Sequence, residues 1–413
     1  MNKTMRQDAQ MIIDHAITSA LPDQAVTKAL HSLPSITGNI RIVALGKAAW
    51  QMSKAAAAAL KQKCYKGICI TKYGHIQGEI EGFDLFEAGH PLVDENSITA
   101  TKQAELLVEG LNQEDLVIVL ISGGGSALFE DPLIPLSELQ DINRQLLACG
   151  ADITEINTIR KRLSAVKGGR FAEKCAPAHV FAVVLSDILN DPLDMIASGP
   201  CYPDSSTCKD AIAIVNKYNL QISDTIMDLL QKETPKQCSN VETHVSGSVR
   251  QLCASAVETA KFLGYQTMYL TSSLSIEASQ AGSFLAGIAC DHQNENLAII
   301  CGGETVVHLK GNGKGGRNQE LALSGAAGIA GCTNTCMFSI GSDGTDGPTD
   351  AAGGYVDQDT ASVLQKKGIR IPEVLENNDA YTALSQCDGL IITGPTGTNV
   401  NDLSVVLIRK DTA

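Results

Sequence analysis

Short, almost continuous runs of aliphatic residues recur along the chain, and most end at a Gly, Ser or Asp that leads into a helical pattern. Because these runs are apolar at every position and not at alternate ones, they are typical of strands in a sheet that is covered on both faces. The alternation of strands with helices predicts an α/β protein with mainly parallel sheets. Strands are predicted at residues 40–45, 68–71, 116–121, 180–185, 297–301, 337–340 and 390–393, and helices at 48–61 and 318–328.

The chain of 413 residues is long enough for two or three domains of the common size, roughly 150 residues each. The polar, Pro-containing stretch QKETPKQCSN at residues 231–240 separates two strand-rich halves. We therefore predict two α/β domains. The first, residues 1–235, is expected to have the larger, Rossmann-like fold, and the second comprises residues 236–413.

Charge and cysteine content exclude several classes of protein. A formal net charge of -14 argues against nucleic acid as a partner, because binding DNA or RNA needs a basic surface. No apolar run approaches the ~20 residues that span a bilayer, so no membrane partner is expected. The 13 cysteines include no C-x-x-C pair and are expected to be reduced residues of a cytoplasmic protein.

The N-terminal segment is predicted to be helical and not a signal peptide, because its apolar positions recur at helical spacing. These positions are Met11, Ile12, Ala16, Ile17 and Ala20.

Two glycine-containing turns follow predicted strands of the first domain, where α/β proteins bind ligands. In LGKAA, Lys47 opens a helix, where its charge opposes the helix dipole, so an anion-binding role is favoured. In ISGGGSAL, backbone N–H groups of three glycines and two serine hydroxyls can bind phosphate oxygens. A tight turn is the structural alternative, and the spacing is not that of a P-loop. The predicted phosphate-binding residues are Ser122, Gly123, Gly124, Gly125 and Ser126.

A basic run and an acidic turn complete the candidates of the first domain. The run NTIRKRLSAVKGGR, residues 157–170, is the strongest positive cluster of an acidic chain. It indicates either a solvated helix face or cations that the Gly-Gly break directs into a cleft. Asp187 lies where the predicted strand 180–185 ends, a position that suits a metal ligand or a general base.

Two glycine-rich segments of the second domain carry charged residues. The segment GNGKGGRNQE at 311–320 matches G-x-G-x-x-G before a helix, which by itself is a weak dinucleotide signal. Its Lys314, Gly316 and Arg317 suit a polyphosphate, whose transferring group needs cationic clamps. The segment GSDGTDGPTD at 341–350 includes Asp343 and Asp346, and carboxylates on such a loop can hold Mg²⁺. Glycine turns, cations and carboxylates at strand ends together favour phosphoryl transfer.

In this order the motifs resemble those of the class II glycerate kinases, the glycerate 2-kinases whose C-terminal part is the MOFRL domain. The resemblance extends from about Gly46 to Asp402. The motifs that carry it are ALGKAAWQM, GHPLVDENS, LISGGGSAL, NTIRKRLSAVKGGR, VVLSDILNDPLDMIASGP, GGETVV, GKGGRNQELAL, SIGSDGTDGPTDAAGG and GPTGTNVNDL.

The resemblance implies two α/β domains with the active site in the cleft between them. It also implies Mg²⁺-dependent transfer of the γ-phosphoryl group of ATP to the 2-hydroxyl of D-glycerate, giving 2-phosphoglycerate and ADP. Lys47 and Arg317 are the catalytic candidates that it implies.

Further roles are inferred for other residues from their chemistry and position. Asp187 is expected to activate the substrate hydroxyl, and Asp343 and Asp346 are expected to bind Mg²⁺. The substrate carboxylate needs a cationic partner, because an unpaired buried carboxylate is costly. Arg160 and Lys167 are both candidates for that partner.

Two other functions compete with the kinase. A reductase of hydroxypyruvate or tartronate semialdehyde would use the G-x-G-x-x-G match for a nicotinamide cofactor. The acidic residue expected about 20 residues after that fingerprint for ribose binding is missing. A non-catalytic sensor would need an effector domain, and no helix-turn-helix, coiled coil or basic extension is apparent. The oligomeric state stays open, with a homodimer among the alternatives.

Overall fold

The computed structural model describes residues 3–33, 36–61, 63–186 and 193–410, and all structural statements below refer to these ranges. The helices are α1 Lys3–Ser19, α2 Pro22–Leu30, α3 Ala49–Ala59, α4 Glu95–Leu107, α5 Gly125–Leu128, α6 Leu136–Ala148, α7 Ile153–Arg162, α8 Arg170–Cys175, α9 Cys208–Tyr218, α10 Asp224–Leu230, α11 Val249–Phe262, α12 Ala278–Asp291, α13 Arg317–Gly328, α14 Thr360–Lys366, α15 Ile371–Glu376 and α16 Ala380–Ser385, with a 3₁₀ turn at Ile196–Ser198.

The strands form two six-stranded sheets. They are β1 Ile40–Leu45, β2 Tyr65–Lys72, β3 Phe83–Ala88, β4 Leu116–Ile121, β5 His179–Val184, β6 Val241–Val245, β7 Gln266–Leu274, β8 Leu297–Gly303, β9 Thr335–Gly341, β10 Gly353–Asp357, β11 Leu390–Ile391 and β12 Asp402–Ile408.

The first sheet has the order β3-β2-β1-β4-β5-β6, and every pair of neighbours is parallel. This is the doubly wound order of Rossmann-like domains, in which the connections leave β1 and β4 in opposite directions. Ligands of such sheets bind beyond the carboxyl ends of the two strands at this switch point. The turns that follow β1 and β4 contain Lys47 and the SGGGS segment, so the fold brings two predicted binding turns side by side.

Helices cover this sheet because its strands are apolar along their whole length. All six residues of β4 are buried, and α2 and α3 pack on one face through Ala25, Val26, Met52 and Ala56. The predicted strands 40–45 and 116–121 have the bounds that the structure gives them.

The second sheet has the order β11-β10-β9-β12-β8-β7. Its strands β7 and β8 are parallel, whereas β12 is antiparallel to both β8 and β9, and β10 is antiparallel to β9 and β11. The parallel prediction therefore describes all of the first sheet but only part of the second. Successive residues of β8 point to opposite faces: Ala298 and Ile300 pack with α1 and α11, and Leu297 and Ile299 pack with α12 and α13.

The two compact units differ from the predicted domains at the N-terminus and at the boundary. Residues 22–186 and 193–246 form one unit, and residues 3–21 join 247–410 in the other. The reason is the apolar stripe of α1, where Met5, Ile12 and Ile13 are fully or almost fully buried against α11. Helical periodicity predicted the helix correctly, but it did not indicate which sheet the helix would cover.

No helix in the described ranges combines the length and the apolar character needed to cross a membrane.

Candidate active site

The turns after β1 and β4 are joined by hydrogen bonds between their backbones and one side chain. The Lys47 N–H donates to the Gly123 carbonyl at 2.9 Å. The Ser122 hydroxyl accepts from the Ala48 N–H at 3.1 Å and donates to the Leu45 carbonyl at 3.3 Å. Ser122 is buried, so its hydroxyl fixes the two turns to each other, and the predicted role of this residue as a phosphate donor stays untested.

The Lys47 side chain is exposed and lies above Gly124, which has a left-handed backbone (φ 88°). A Cβ atom added at Gly124 would lie 3.2 Å from Lys47 Cε and 3.2 Å from Nε2 of His90. Both side chains therefore reach the same point above the glycine turn. A side chain at residue 124 would push them apart, which explains why this turn needs a glycine both for its backbone and for its surface.

Ser126 is connected to helix α7 through a second serine. The Ser198 hydroxyl is 2.9 Å from the Ser126 hydroxyl and 2.8 Å from Oδ1 of Asn157. Ala197 and Ser198 both have left-handed φ angles, 51° and 59°, a conformation that costs energy for residues other than glycine. The chain Asn157–Ser198–Ser126 therefore fixes the end of the glycine turn from an element that is distant in sequence.

The basic run lies mostly inside the protein. Lys161 and Arg162 are fully buried and both contact Asp204, at 3.0 and 3.4 Å. Lys167 is also fully buried, and its Nζ donates to the Phe129 carbonyl at 2.8 Å and to Oε2 of Glu130 at 2.6 Å. Burial lowers the pKa of Lys167, against the opposing effect of Glu130. The solvated helix face, one of the two interpretations of this run, is thus wrong for these three residues.

Arg160 is the exception within the run. Its side chain is only partly buried, and Nε donates to Oδ1 of Asn143 at 2.6 Å. Among the described contacts its two terminal nitrogens have no partner, so they can bind a carboxylate side by side. Of the two cations predicted for the substrate carboxylate, Arg160 is the one whose donors reach the surface.

Replacing Lys167 by Met should lower the free energy of unfolding by about 3–5 kcal/mol, because the Glu130 carboxylate would stay buried without its cation. Chemical denaturation measures this loss. Lys174→Met, which breaks the more exposed Lys174–Glu105 pair, should cost less than about 1 kcal/mol. The double variant Lys167→Met with Glu130→Gln should recover much of the stability. If the KM for the acid substrate rose in this stable double variant, Lys167 would instead bind the substrate directly.

Asp187, predicted to activate the substrate hydroxyl, lies outside the described residues.

In the second unit, four of the predicted residues line a cleft of about 970 Å³, namely Gly316, Arg317, Asp343 and Asp346. Arg317 is the first residue of α13, and its side chain is one-third exposed. Its guanidinium donates to Asp402 through Nε (2.6 Å) and Nη2 (3.0 Å), and to Glu304 through Nη1 (3.0 Å). Three of its five N–H donors are thus used, so Arg317 is held in a fixed orientation with donors left for an anion in the cleft.

Asp402 reaches this position because β12 runs antiparallel to its neighbours. As the first residue of β12, it lies opposite the last residues of β8 and β9, Gly303 and Gly341. It is buried, and burial raises its pKa to about 6 although Arg317 opposes the shift. The carboxylate therefore stabilises the Arg317 cation and depends on it in turn.

Asp346 caps α13 and supports the glycine before it. Its Oδ1 accepts from the Asn318 N–H at 3.1 Å and its Oδ2 from the Gln319 N–H at 2.8 Å. A Cβ atom on Gly316 would collide with the Asp346 carboxylate. Burial raises the pKa of Asp346, while these hydrogen bonds oppose the shift. The geometry is that of a carboxylate at a helix N-terminus, where the helix dipole favours negative charge.

Asp343 is more available than Asp346 to bind a cation. It is partly exposed in the cleft, and its Oδ1 accepts from the backbone and hydroxyl of Thr345 at 2.9 and 3.1 Å, whereas its Oδ2 has no partner in the described part of the chain. Within that part, no group of three or more His, Cys, Asp or Glu side chains is arranged to hold a metal ion. Lys314 does not line the cleft and instead packs its Nζ 4.0 Å from the Tyr381 ring centre.

Sequence reasoning missed His90, Glu304 and Asp402 as site residues. Glu304 directly follows the buried strand β8, and Asp402 begins the buried strand β12. His90 lies two residues after β3. Their position at a strand end is the signal that could have identified them. For His90 and Asp402 this signal was hidden, because the hydrophobic pattern did not predict β3 or β12.

Two family profiles match most of the chain. A domain of unknown function, DUF4147, matches residues 8–231, and the MOFRL family matches residues 297–402.

The names of the full-length relatives describe two different activities. The chain is 49% identical to the D-glycerate 2-kinase of Thermotoga maritima, with 98% of this chain and 99% of that protein covered. It is 37% identical to a putative hydroxypyruvate reductase of Agrobacterium vitis, with 98% and 94% covered. The crystal structure of the Thermotoga maritima glycerate kinase superposes with a TM-score of 0.93 at 48% identity, covering 99% of this chain and all of that one.

Proposed function

This chain belongs to the glycerate kinase family whose C-terminal part is the MOFRL domain, and from that premise we propose that it transfers the γ-phosphoryl group of ATP to the 2-hydroxyl of D-glycerate. The products are 2-phosphoglycerate and ADP. The observation that carries the proposal is the approach of Lys47 to the glycine turn at the switch point of a parallel sheet, in a chain whose full-length relative is a D-glycerate 2-kinase.

In the first unit, Lys47 neutralises the charge of the transferring phosphoryl group above Gly124. A cation held at this point acts mainly on the transition state, because that is where the charge on the phosphoryl oxygens is redistributed. Arg160 binds the glycerate carboxylate through its two free terminal nitrogens. The chain Asn157–Ser198–Ser126 keeps the end of the glycine turn in place.

In the second unit, the cleft around Arg317 accepts the charged part of the nucleotide. Five of its lining residues are carboxylic acids and one is an arginine, namely Glu304, Glu320, Asp343, Asp346, Asp402 and Arg317. A polyphosphate can enter such a negative cleft only with bound cations, which fits a requirement for Mg²⁺. Asp343 would be the protein ligand of that ion, because Mg²⁺ in nucleotide sites takes one or two carboxylates and completes its shell with phosphates and water. Bound there, Mg²⁺ would neutralise phosphate charge.

The test is ADP release from purified protein supplied with D-glycerate, ATP and Mg²⁺, followed by NMR identification of the phosphorylated product. We expect release that requires all three components and yields 2-phosphoglycerate. A product with phosphate on the 3-hydroxyl would correct the regiochemistry. No glycerate-dependent release would overturn the proposal.

A second candidate is a nicotinamide-dependent reductase of hydroxypyruvate or tartronate semialdehyde, which the name of the Agrobacterium vitis relative favours. The structural basis for it is weak. Gly311 and Gly313 of the G-x-G-x-x-G match pack against the backbone around Asn377, and residues 304–310 separate the last strand residue, Gly303, from the first glycine of the match. A dinucleotide fingerprint follows its strand directly. Oxidation of NADH or NADPH by hydroxypyruvate, without ADP release from glycerate, would support this candidate.

We expect a cytoplasmic enzyme whose partners are small molecules, with a homodimer as one form to test by light scattering. The expected position of the active site between the two domains also stays a prediction.

A further inference from the structure

Four basic side chains gather at the carboxyl ends of β1, β2 and β3. Lys47 follows β1, Lys72 ends β2, His75 lies in the turn after β2, and His90 follows β3. Because these strands are parallel neighbours, their ends lie along one edge of the sheet, beside the glycine turn after β4. Among the four, the side chains of Lys47 and His90 reach the point above Gly124.

His90 has no hydrogen-bond partner among the described residues, and its imidazole is partly buried. This differs from His75, which is also partly buried but whose Nδ1 lies 3.1 Å from the Lys47 carbonyl. A histidine ring that is packed at a glycine turn, with Nε2 facing the turn and no protein partner, is available to a ligand bound there.

The surroundings of His90 keep its ring neutral near pH 7. Its pKa is lowered by burial first, and then by the positive charges of Lys47, Lys72 and His75. The two nearby carboxylates, Glu87 and Asp94, accept hydrogen bonds from other groups. Glu87 accepts from the Ile76 N–H at 3.0 Å.

Asp94, the other carboxylate near this edge, accepts from the Tyr73 hydroxyl at 2.6 Å and the Ser97 N–H at 2.9 Å. Neither carboxylate is among the main causes of the pKa shift of His90, all of which lower that pKa.

We propose that His90 is a further catalytic residue, whose neutral imidazole accepts the proton of the substrate hydroxyl. This inference rests on the proposed kinase function. The hydroxyl oxygen forms a bond to the γ-phosphorus of ATP while the bond from that phosphorus to the bridging oxygen breaks, and its electron pair leaves with ADP. The hydroxyl proton passes to His90, and the resulting imidazolium returns it to water. Lys47 at the same turn neutralises the phosphoryl group as the proton leaves.

The pH dependence of kcat/KM for D-glycerate tests the proposal, with ATP and Mg²⁺ saturating. The wild-type rate should rise through a single deprotonation below the ordinary histidine value of ~6.5. His90→Gln should lower the plateau about ten- to a hundredfold, less than a complete loss because little proton transfer is needed in a loose transition state. The acid limb should disappear in this variant. His31→Gln, at an exposed position after α2, is the control and should keep both rate and profile.

Chemical rescue separates a proton acceptor from a residue that only supports the fold. Imidazole added to His90→Ala should restore part of the rate, in proportion to the concentration of the neutral form. A His90→Gln plateau equal to wild type, an acid limb that survives in it, or a wild-type profile with no limb below 6.5 would each overturn the role of His90 alone. No glycerate-dependent ADP release from the wild type would overturn the kinase function and this role together.

Discussion

Replacing Lys47 by Met is expected to lower kcat for glycerate phosphorylation by about 10²–10³, the usual cost of removing one preorganised charge contact to a transition state. The loss should fall mainly on kcat and less on KM, because the lysine acts on charge that changes as the phosphoryl group transfers. A coupled assay of ADP formation over a range of both substrates measures the two parameters.

The fold should be unaffected by this change, for a reason visible in the structure. The Lys47 side chain is exposed and has no ion pair among the described residues, and its backbone N–H, which joins the turns at Gly123, is kept by methionine. A positive charge beside the N-terminus of α3 is unfavourable, so Tm should stay the same or rise slightly. Thermal unfolding followed by circular dichroism checks this expectation.

Lys54→Met is the matched control, since Lys54 lies on α3, the helix that follows Lys47, and its Nζ lies 5.0 Å from the centre of the Trp50 ring with no ion pair among the described residues. It should keep wild-type kcat. If Lys47→Met also turned over at a near-normal rate while folded, Lys47 would not act on the transferring group, and the glycine turn would have to bind the anion through its backbone alone.

The sequence was sufficient for the strands that the sheets bury on both sides. The pattern predicted β1 and β4 with their observed bounds because central parallel strands carry apolar residues at every position. It missed β3, whose residues 83–87 are exposed or only partly buried. At this sheet edge one face of the strand is solvated, and the sequence FDLFEA shows no continuous run. His90 was missed for the same reason, since its position matters only once β3 is known.

The sequence could not indicate what each charged residue contacts. Lys161 and Lys167 come from one basic run, but Asp204 and Glu130 neutralise them inside the fold, and these partners are about 40 positions away. In the same way, the glycine-rich loop predicts that Asp343 and Asp346 are equally suited to bind a cation. Only the packing of α13 shows that Asp346 accepts its hydrogen bonds from the helix.

Arg317 is another charged residue whose partner is distant in sequence. Its replacement by Met is expected to lower kcat by about 10²–10³ and to destabilise the fold as well. The guanidinium pairs with Asp402, whose side chain is 6% exposed, at 2.6 Å. Removing it leaves that carboxylate without its partner, which in a buried pair costs about 3–5 kcal/mol and here somewhat less, since Arg317 itself is one-third exposed. Kinetics and urea denaturation measure the two effects separately.

A second substitution separates the catalytic effect of Arg317 from the structural one. Asp402→Asn in the Arg317→Met background removes the uncompensated charge, so the free energy of unfolding should recover while kcat stays low. Arg370→Met, which breaks the exposed Arg370–Glu373 pair at 2.6 Å, should change neither quantity. If the double variant regained kcat along with stability, Arg317 would act only by keeping Asp402 in place, and no charge from this residue would reach the transferring phosphoryl group. If kcat stays low in a stable protein, the donors of Arg317 that face the cleft stabilise the transition state directly.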